Sequence, residues 1–317
     1  MTKKYFVGID TSNYTTSFAL VNEDGEVELN LKQLLPVKNG ECGLRQSDAV
    51  FAHVKNIPML MEKAKGYLEN AQILAIGVSS RPRNVDGSYM PCFLSGASVA
   101  QAMSAVSGAP VYEFSHQCGH MMAALYSARK TDIIEEPFCA FHVSGGTTEI
   151  LYARYCDGGF SVEHIGGTKD LNAGQLIDRT GVMMGLSFPC GASLEKLALE
   201  NTTKIEKKSA RLDGTFFNLS GAENLVQKMY KETNDASLVS AFTLSYVGNT
   251  LLGASKNLAK KYGDIPFIYA GGVMSNSIIK GMLSVLPNAY FSMPEFSSDN
   301  ASGIALLARK SYLLERK

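Results

Sequence analysis

Apolar residues along this chain follow two spacings, and the switches between them mark the elements. Tyr5 to Leu31 reads as an apolar strand (YFVGI), a small polar bend (DTSNYTT), a second strand (SFALV), an Asn-Glu-Asp-Gly turn and a third strand (EVELNL). The same order returns from Cys139 to Ile165: strand (CAFHV), bend (SGGTT), strand (EILYARY), a Cys-Asp-Gly-Gly turn and strand (FSVEHI). Asp-Gly turns favour tight hairpins because glycine reaches positive φ without steric cost. The copies stand roughly 135 residues apart, nearly half the chain, the kind of period that marks an internal repeat. Any two β-meanders share this outline; the Gly and Ser/Thr-rich bend at the same place in both favours a duplication.

After each meander the period lengthens to that of a helix. From Asp48, an N-cap candidate, Val50, Val54, Ile57, Met61, Ala64 and Leu68 fall on one helical face. A buried strand is predicted at Ile73 to Ser79, a helix of small residues at Ser95 to Val106 and a strand at Ala109 to Phe114. The second half reads as helices near Asn172–Gly185, Gly191–Glu200, Ala222–Lys231 and Ser237–Tyr262, a strand at Ile265–Ala270 and a last helix at Asp299–Arg316. A duplicated meander followed by alternating helices and strands predicts an α/β architecture of two similar lobes around a cleft, 1–112 with 298–317 and 113–297.

Composition changes this picture little. With 317 residues, 45% of them apolar, the chain can bury a full core, and disorder as the main state is excluded. Thirty basic and thirty acidic side chains cancel, so any nucleic-acid contact must rely on a local patch rather than a global field. The six cysteines are scattered singly, which fits reduced thiols in a cytosol. No uncharged apolar stretch reaches the length of a membrane span and no export signal is visible, so a soluble cytoplasmic protein without membrane contact is expected.

Three glycine and hydroxyl-rich bends follow apolar strands: Gly8-Ile9-Asp10-Thr11-Ser12, Ser144-Gly145-Gly146-Thr147-Thr148 and Ala270-Gly271-Gly272-Val273-Met274-Ser275-Asn276. Bends without Cβ atoms let backbone N–H groups reach phosphate oxygens, and hydroxyls add donors. None fits the P-loop or Rossmann pattern, and singly each is more often a plain turn. Two on duplicated hairpins and a third before a helix resemble the phosphate and adenosine loops of the actin-like, sugar-kinase and Hsp70 ATPase superfamily.

A second constellation is His116-Gln117-Cys118-Gly119-His120. On a helix starting near His116, both imidazoles share a face one turn apart, which either chelates a divalent metal or is a pair of ordinary helix histidines. No glutamate follows His116, so a zinc peptidase motif is absent. His142, on the strand entering the second bend, is either a further ligand or a core histidine; Asp299 is either a ligand or an N-cap. His53 and His164 read as structural. Asp178 follows Gly174 by one helical turn, either receiving ribose hydroxyls or pairing with Arg179 or Lys169 on the surface. Arg81 and Arg83 either grip phosphates or belong to a solvated Arg-Pro-Arg turn.

Together these residues resemble the TsaD/Gcp family, formerly called O-sialoglycoprotein endopeptidase. The match covers almost the whole chain: GIDTS, AHVKNIP, the His116/His120 pair, VSGGTTEI, GGTKDLNAGQLIDRTGVMMGLSFPCGASLEKLA, NLSGAENLV, YAGGVMSN and SSDNASGIALLA. The resemblance implies the actin-like ATPase fold and formation of threonylcarbamoyl-adenosine in tRNA. It implies that His116, His120 and Asp299 hold iron or zinc, with His142 a candidate extra ligand where some relatives have tyrosine. Ser144, Gly145, Gly146 and Thr147 would line the phosphate side, and Asp170, Gly174, Asp178, Gly271, Gly272 and Asn276 would bind ATP, AMP or threonylcarbamoyl-adenylate. The metal would polarise the carbamoyl phosphate, and no protein nucleophile is required. The implied partners are tRNA and either other threonylcarbamoylation-complex subunits or a second copy of the chain.

Departures from the family pattern define a diverged paralogue. Asn13-Tyr14-Thr15 replaces an acidic pair, a polar loop from Ser80 to Pro91 replaces a Gly-Pro-Gly loop, and Glu223 stands in a segment that usually carries lysine. Cys118 replaces a glutamate between the histidines, and Asp170-Leu171 replaces Asp-Asp. The leading expectation is a metal-dependent carbamoyl-type transferase. Its alternatives are a carbamoyl transferase with another acceptor and a nucleotide-binding regulatory protein that nucleates a complex. A kinase is disfavoured for want of a catalytic aspartate, and a peptidase for want of a base.

Overall fold

The computed structural model describes residues 2–36, 44–156, 158–296 and 301–316. Among them the first hairpins are β1 (Lys4–Thr11), β2 (Thr15–Asn22) and β3 (Val27–Leu34), followed by α1 (Gln46–Leu68), β4 (Gln72–Arg81), α2 (Phe93–Ser107), β5 (Val111–Ser115) and α3 (His116–Ser127). The second meander is β6 (Phe138–Val143), β7 (Thr148–Cys156) and β8 (Gly159–Thr168), then α4 (Ala173–Met183) and α5 (Gly191–Leu199). The short strands β9 (Leu212–Asp213) and β10 (Phe216–Phe217) precede α6 (Ser220–Thr233), α7 (Ala236–Tyr262), β11 (Phe267–Ala270), α8 (Ser277–Leu283), β12 (Ala289–Phe291) and α9 (Ser302–Leu314).

The chain divides into two compact units. One comprises the described residues of Met1–Asp132, Tyr155–Ser161 and Ser298–Lys317, the other those of Ile133–Arg154 and Val162–Ser297. Residues 113–132, assigned above to the second lobe, group with the first unit, because β5 adds to β4 in parallel and α3 packs on α9.

Each unit is built on the same sheet plan. The first sheet runs β3-β2-β1-β4-β5; the second runs β12-β11-β6-β7-β8-β10-β9, which repeats the first plan and extends it by two strands beyond β8. In both, the opening strand pairs antiparallel with the next and parallel with a later one: β1 with β2 and β4, β6 with β7 and β11. Seven of the eight residues of β1 are buried, as a strand covered on both faces requires. In the second unit, Phe141, Phe267 and Tyr269 pack with Leu244, Val247 and Leu251 of α7. Each such side chain contributes about 1.5–3 kcal/mol on leaving water.

Local chemistry sets the helix ends. Asp235 accepts from Ser237 N at 2.9 Å and Leu238 N at 3.0 Å, starting α7 next to the predicted position. Asp48 is not the cap of α1. Arg45 occupies that place, and Asp48 sits in the first turn, where a carboxylate still complements the helix dipole. Among the described residues no helix is long and apolar enough to cross a membrane.

Candidate functional site

In the second unit, the bend between β6 and β7 is organised by the hydroxyl of Ser144, which accepts from Gly146 N at 3.3 Å and Thr147 N at 3.1 Å. Ser144 N closes the turn on Thr147 O at 2.7 Å. A Cβ at Gly145 or Gly146 would meet nothing within 4 Å, so open space adjoins the bend. Gly174, in the first turn of α4, is held against the bend by its N–H on Ser144 O at 3.1 Å. A Cβ there would lie 2.5 Å from Gly145 N, so only glycine allows this approach.

The bend and α4 form one wall of a cavity of about 510 Å³. Gly145, Gly174 and Asp178 meet Gly191 and Glu195 of α5 there, together with Gly272, Ser275 and Asn276 from the turn after β11. Asp178 shares the face of Gly174, as its spacing predicted, and its Oδ1 accepts Cys190 N at 2.8 Å. It pairs neither with Arg179, which bonds Glu223 at 3.0 Å, nor with Lys169, which bonds Asp213. Asn276 lines the cavity and caps α8, accepting Ile279 N at 3.0 Å. Gly271, at φ 102°, turns the chain from β11 into this loop. A glycine bend in one wall, with the carboxylates of Asp178 on α4 and Glu195 on α5, suits a ligand with an anionic end and hydroxyl donors.

Two sequence expectations take other places in this unit. Asp170 is absent from the cavity wall. Its carboxylate accepts from Leu171 N, Leu219 N, Ser220 N and the Ser220 and Thr168 hydroxyls, fastening the start of α6. Burial raises its pKa, and these hydrogen bonds outweigh burial to hold it below the usual carboxylate range. His142 faces Glu149 across the β6–β7 pair, with Nδ1 4.0 Å from Oε1. Glu195, which sequence reasoning missed, lines the cavity and accepts Ser277 N at 2.7 Å and its hydroxyl at 2.5 Å. Its one available signal was its place four residues after Gly191 on a single helix face.

In the first unit, Ser115 caps α3 by accepting Cys118 N at 3.2 Å, so the helix begins at His116. His116 and His120 then lie one turn apart, their Nε2 atoms separated by 2.9 Å and their rings crossed at 80°. Asp10, the last but one residue of β1 and fully buried, sets both carboxylate oxygens 3.0 Å from His116 Nδ1. It also receives the Ser79 hydroxyl. A carboxylate on Nδ1 fixes the proton there and leaves the His116 Nε2 lone pair turned toward His120. Asp10 was missed because the sequence presented it only as part of a bend.

This pair fits a divalent metal as far as it extends. Two imidazole Nε2 atoms at 2.9 Å are spaced as adjacent ligands of one ion, and a carboxylate behind a ligating histidine is the usual outer partner. Among the described residues no group of three or more His, Cys, Asp or Glu side chains could hold a metal, and Asp299 lies outside the described residues. Cys118, in the glutamate's place, is buried, and its sulfur accepts from Phe160 N and Asn84 Nδ2, both at 3.2 Å. Asn84 also holds Arg81, whose guanidinium bonds Asn84 Oδ1 and the Ser80 hydroxyl, so Arg81 is engaged inside its own loop. Arg83 is exposed.

A family model described as tRNA N6-adenosine threonylcarbamoyltransferase matches residues 38–306. The chain belongs to the TsaD family. Curated relatives of that name include one from Kosmotoga olearia, 28% identical over 95% of this chain and 92% of the relative. Another, from Bacillus licheniformis, is 29% identical over 95% of this chain and 90% of the relative. Among solved structures, HypF from T. kodakarensis superposes with a TM-score of 0.62 at 13% identity, covering 99% of this chain. This TsaD-family chain spans about half the length of that protein, 48%. The (R)-2-hydroxyglutaryl-CoA dehydratase component A of Acidaminococcus fermentans gives 0.54 at 16% identity over 98% and 99%. The fold is thus the duplicated α/β fold of the actin-like, sugar-kinase and Hsp70 ATPase superfamily.

Proposed function

We propose that the protein transfers a threonylcarbamoyl group from threonylcarbamoyl-adenylate to an adenosine of tRNA. The family match across residues 38–306 carries this reading, and the cavity of the second unit supports it. The glycine bend at Gly145 and Gly146 would receive the phosphate, with the Gly145 amide as donor, and Asp178 and Glu195 would accept hydroxyl donors of the nucleoside, with Gly174, Gly272 and Asn276 shaping the wall. In the transfer the adenine N6 attacks the carbamoyl carbon, a C–N bond forms, the carbon–oxygen bond to phosphate breaks, AMP leaves and an N6 proton passes to solvent. No side-chain nucleophile is needed.

His116, His120 and Asp299 would hold a divalent metal, iron or zinc. Such an ion supplies a Lewis acid for the acyl-phosphate oxygens. Asp10 would keep the His116 proton on Nδ1, so that Nε2 stays a donor of electrons. Arg83 is free of the bonds that occupy the Arg81 guanidinium and is proposed as a phosphate contact. The family role also brings other subunits of a threonylcarbamoylation complex, or a second copy, as proposed partners, and the cytoplasm as proposed site.

Incubation with threonylcarbamoyl-adenylate and unmodified tRNA, followed by digestion to nucleosides, tests the proposal. Modified adenosine is the expected product. AMP released without modified adenosine would point to another acceptor, and adenylate binding with neither product would point to a regulatory role.

A further inference from the structure

A second cavity, of about 430 Å³, opens at the edge of the second sheet where β9 and β10 extend it past β8. No residue proposed above for metal or adenylate lines it. Its walls combine the cations Lys169 and Arg211 with Asn218, the half-buried ring of Phe216 and one carboxylate, Asp213. Lys169 Nζ stands 5.3 Å from the Phe216 ring centroid, and His164 meets the same ring edge-on at 5.6 Å. Lys169 also bonds Asp213 at 2.8 Å, but these side chains are 50% and 86% exposed. Water screens such an exposed pair, so the lysine can exchange Asp213 for another anion.

More cations stand along the same strip. Residues 208–214 lie on one side of α7, held by Asn249 Nδ2 on Lys208 O, Ala210 N on Thr250 Oγ1 and Asn257 Nδ2 on Gly214 O, at 3.2, 2.9 and 2.7 Å. Lys208, paired with Glu206 at 3.0 Å, belongs to this strip, and the exposed Lys256 and Lys260 of α7 follow Asn249 by seven residues and Asn257 by three, the spacing of one helix face. The whole chain has no net charge, so the excess is local. Cations strung along a segment, rather than gathered round one point, match repeated phosphates better than a single small anion, and an aromatic face beside them accepts a base of any identity.

We propose that this groove is an RNA-contact surface, with Lys169 and Arg211 on phosphodiester oxygens and Phe216 as a platform for an unpaired base. The proposal rests on the reading of tRNA as acceptor. Binding of unmodified tRNA to the full chain, followed by fluorescence anisotropy over a range of salt, tests it. K169E/R211E is expected to weaken binding roughly tenfold or more and to lower the slope of log K against log salt by about 2. Phe216→Leu should weaken binding without changing the slope, and the reversal K63E/K65E on α1 should do neither. AMP affinity equal to that of the unsubstituted protein reports that K169E/R211E keeps the second unit folded. Wild-type affinity and slope in K169E/R211E would overturn the groove assignment and leave the transferase reading standing. Failure of the unsubstituted protein to bind tRNA would overturn the acceptor reading, and the groove assignment with it.

Discussion

At the scale of single residues, the least legible group is the most consequential. Asp10 and His116 are 106 positions apart, and no spacing rule links them; only the end of β1 brings the carboxylate under the imidazole. Asp10→Asn keeps the shape but lets the amide turn either its oxygen or its nitrogen toward Nδ1, so the proton is no longer held there. Because outer-shell carboxylates typically account for 10–100-fold in metal affinity, D10N is expected to weaken metal binding by about that factor. Titration against a competing chelator, with melting as a control for folding, reads the change; wild-type affinity would count against the orienting role. Asp170 shows the opposite error. The family resemblance implies a nucleotide ligand there, yet its acceptor capacity goes to Leu219 and Ser220, about 50 positions later, which local pattern cannot reveal.

Among elements, the helices and long strands were legible because each buries apolar positions over many residues. The opening strands of the meanders are continuous apolar runs bounded by turn residues, and α7 carries its apolar positions through 27 residues. The two-residue strands β9 and β10 have no period to read, so the edge that forms the cationic groove was invisible in the sequence. The His116 pair was legible as a helical spacing, whereas the seat of its helix was not. That seat is made by glycine: a Cβ on Gly303 of α9 would lie 1.9 Å from Gly119 O, near the start of α3. Gly303→Ala must push the helices apart. The expected loss is about 3 kcal/mol, the upper range for overpacking, and denaturant unfolding measures it. The same substitution should loosen metal binding, since α3 carries both imidazoles.

For the whole molecule, two units with one strand plan have taken different cargo: the second holds an open cavity between its bend and α5, and the first holds the histidine pair. A ligand for the cavity should therefore act on one unit. AMP at 100 times its dissociation constant is expected to add about 2.7 kcal/mol to the stability of that unit. Amide exchange should slow within residues 133–154 and 162–296, and Asp178→Ala should abolish the effect at the same AMP concentration. Protection spread evenly over both units would contradict this placement. The arrangement of α3 beneath α9 also has a bearing on biosynthesis. The ribosome delivers His116 and His120 well before the helix that buttresses them, so a nascent chain released before Ser302 would carry both histidines on an unsupported α3. Seating of the imidazole pair is thereby deferred until α9 has been translated.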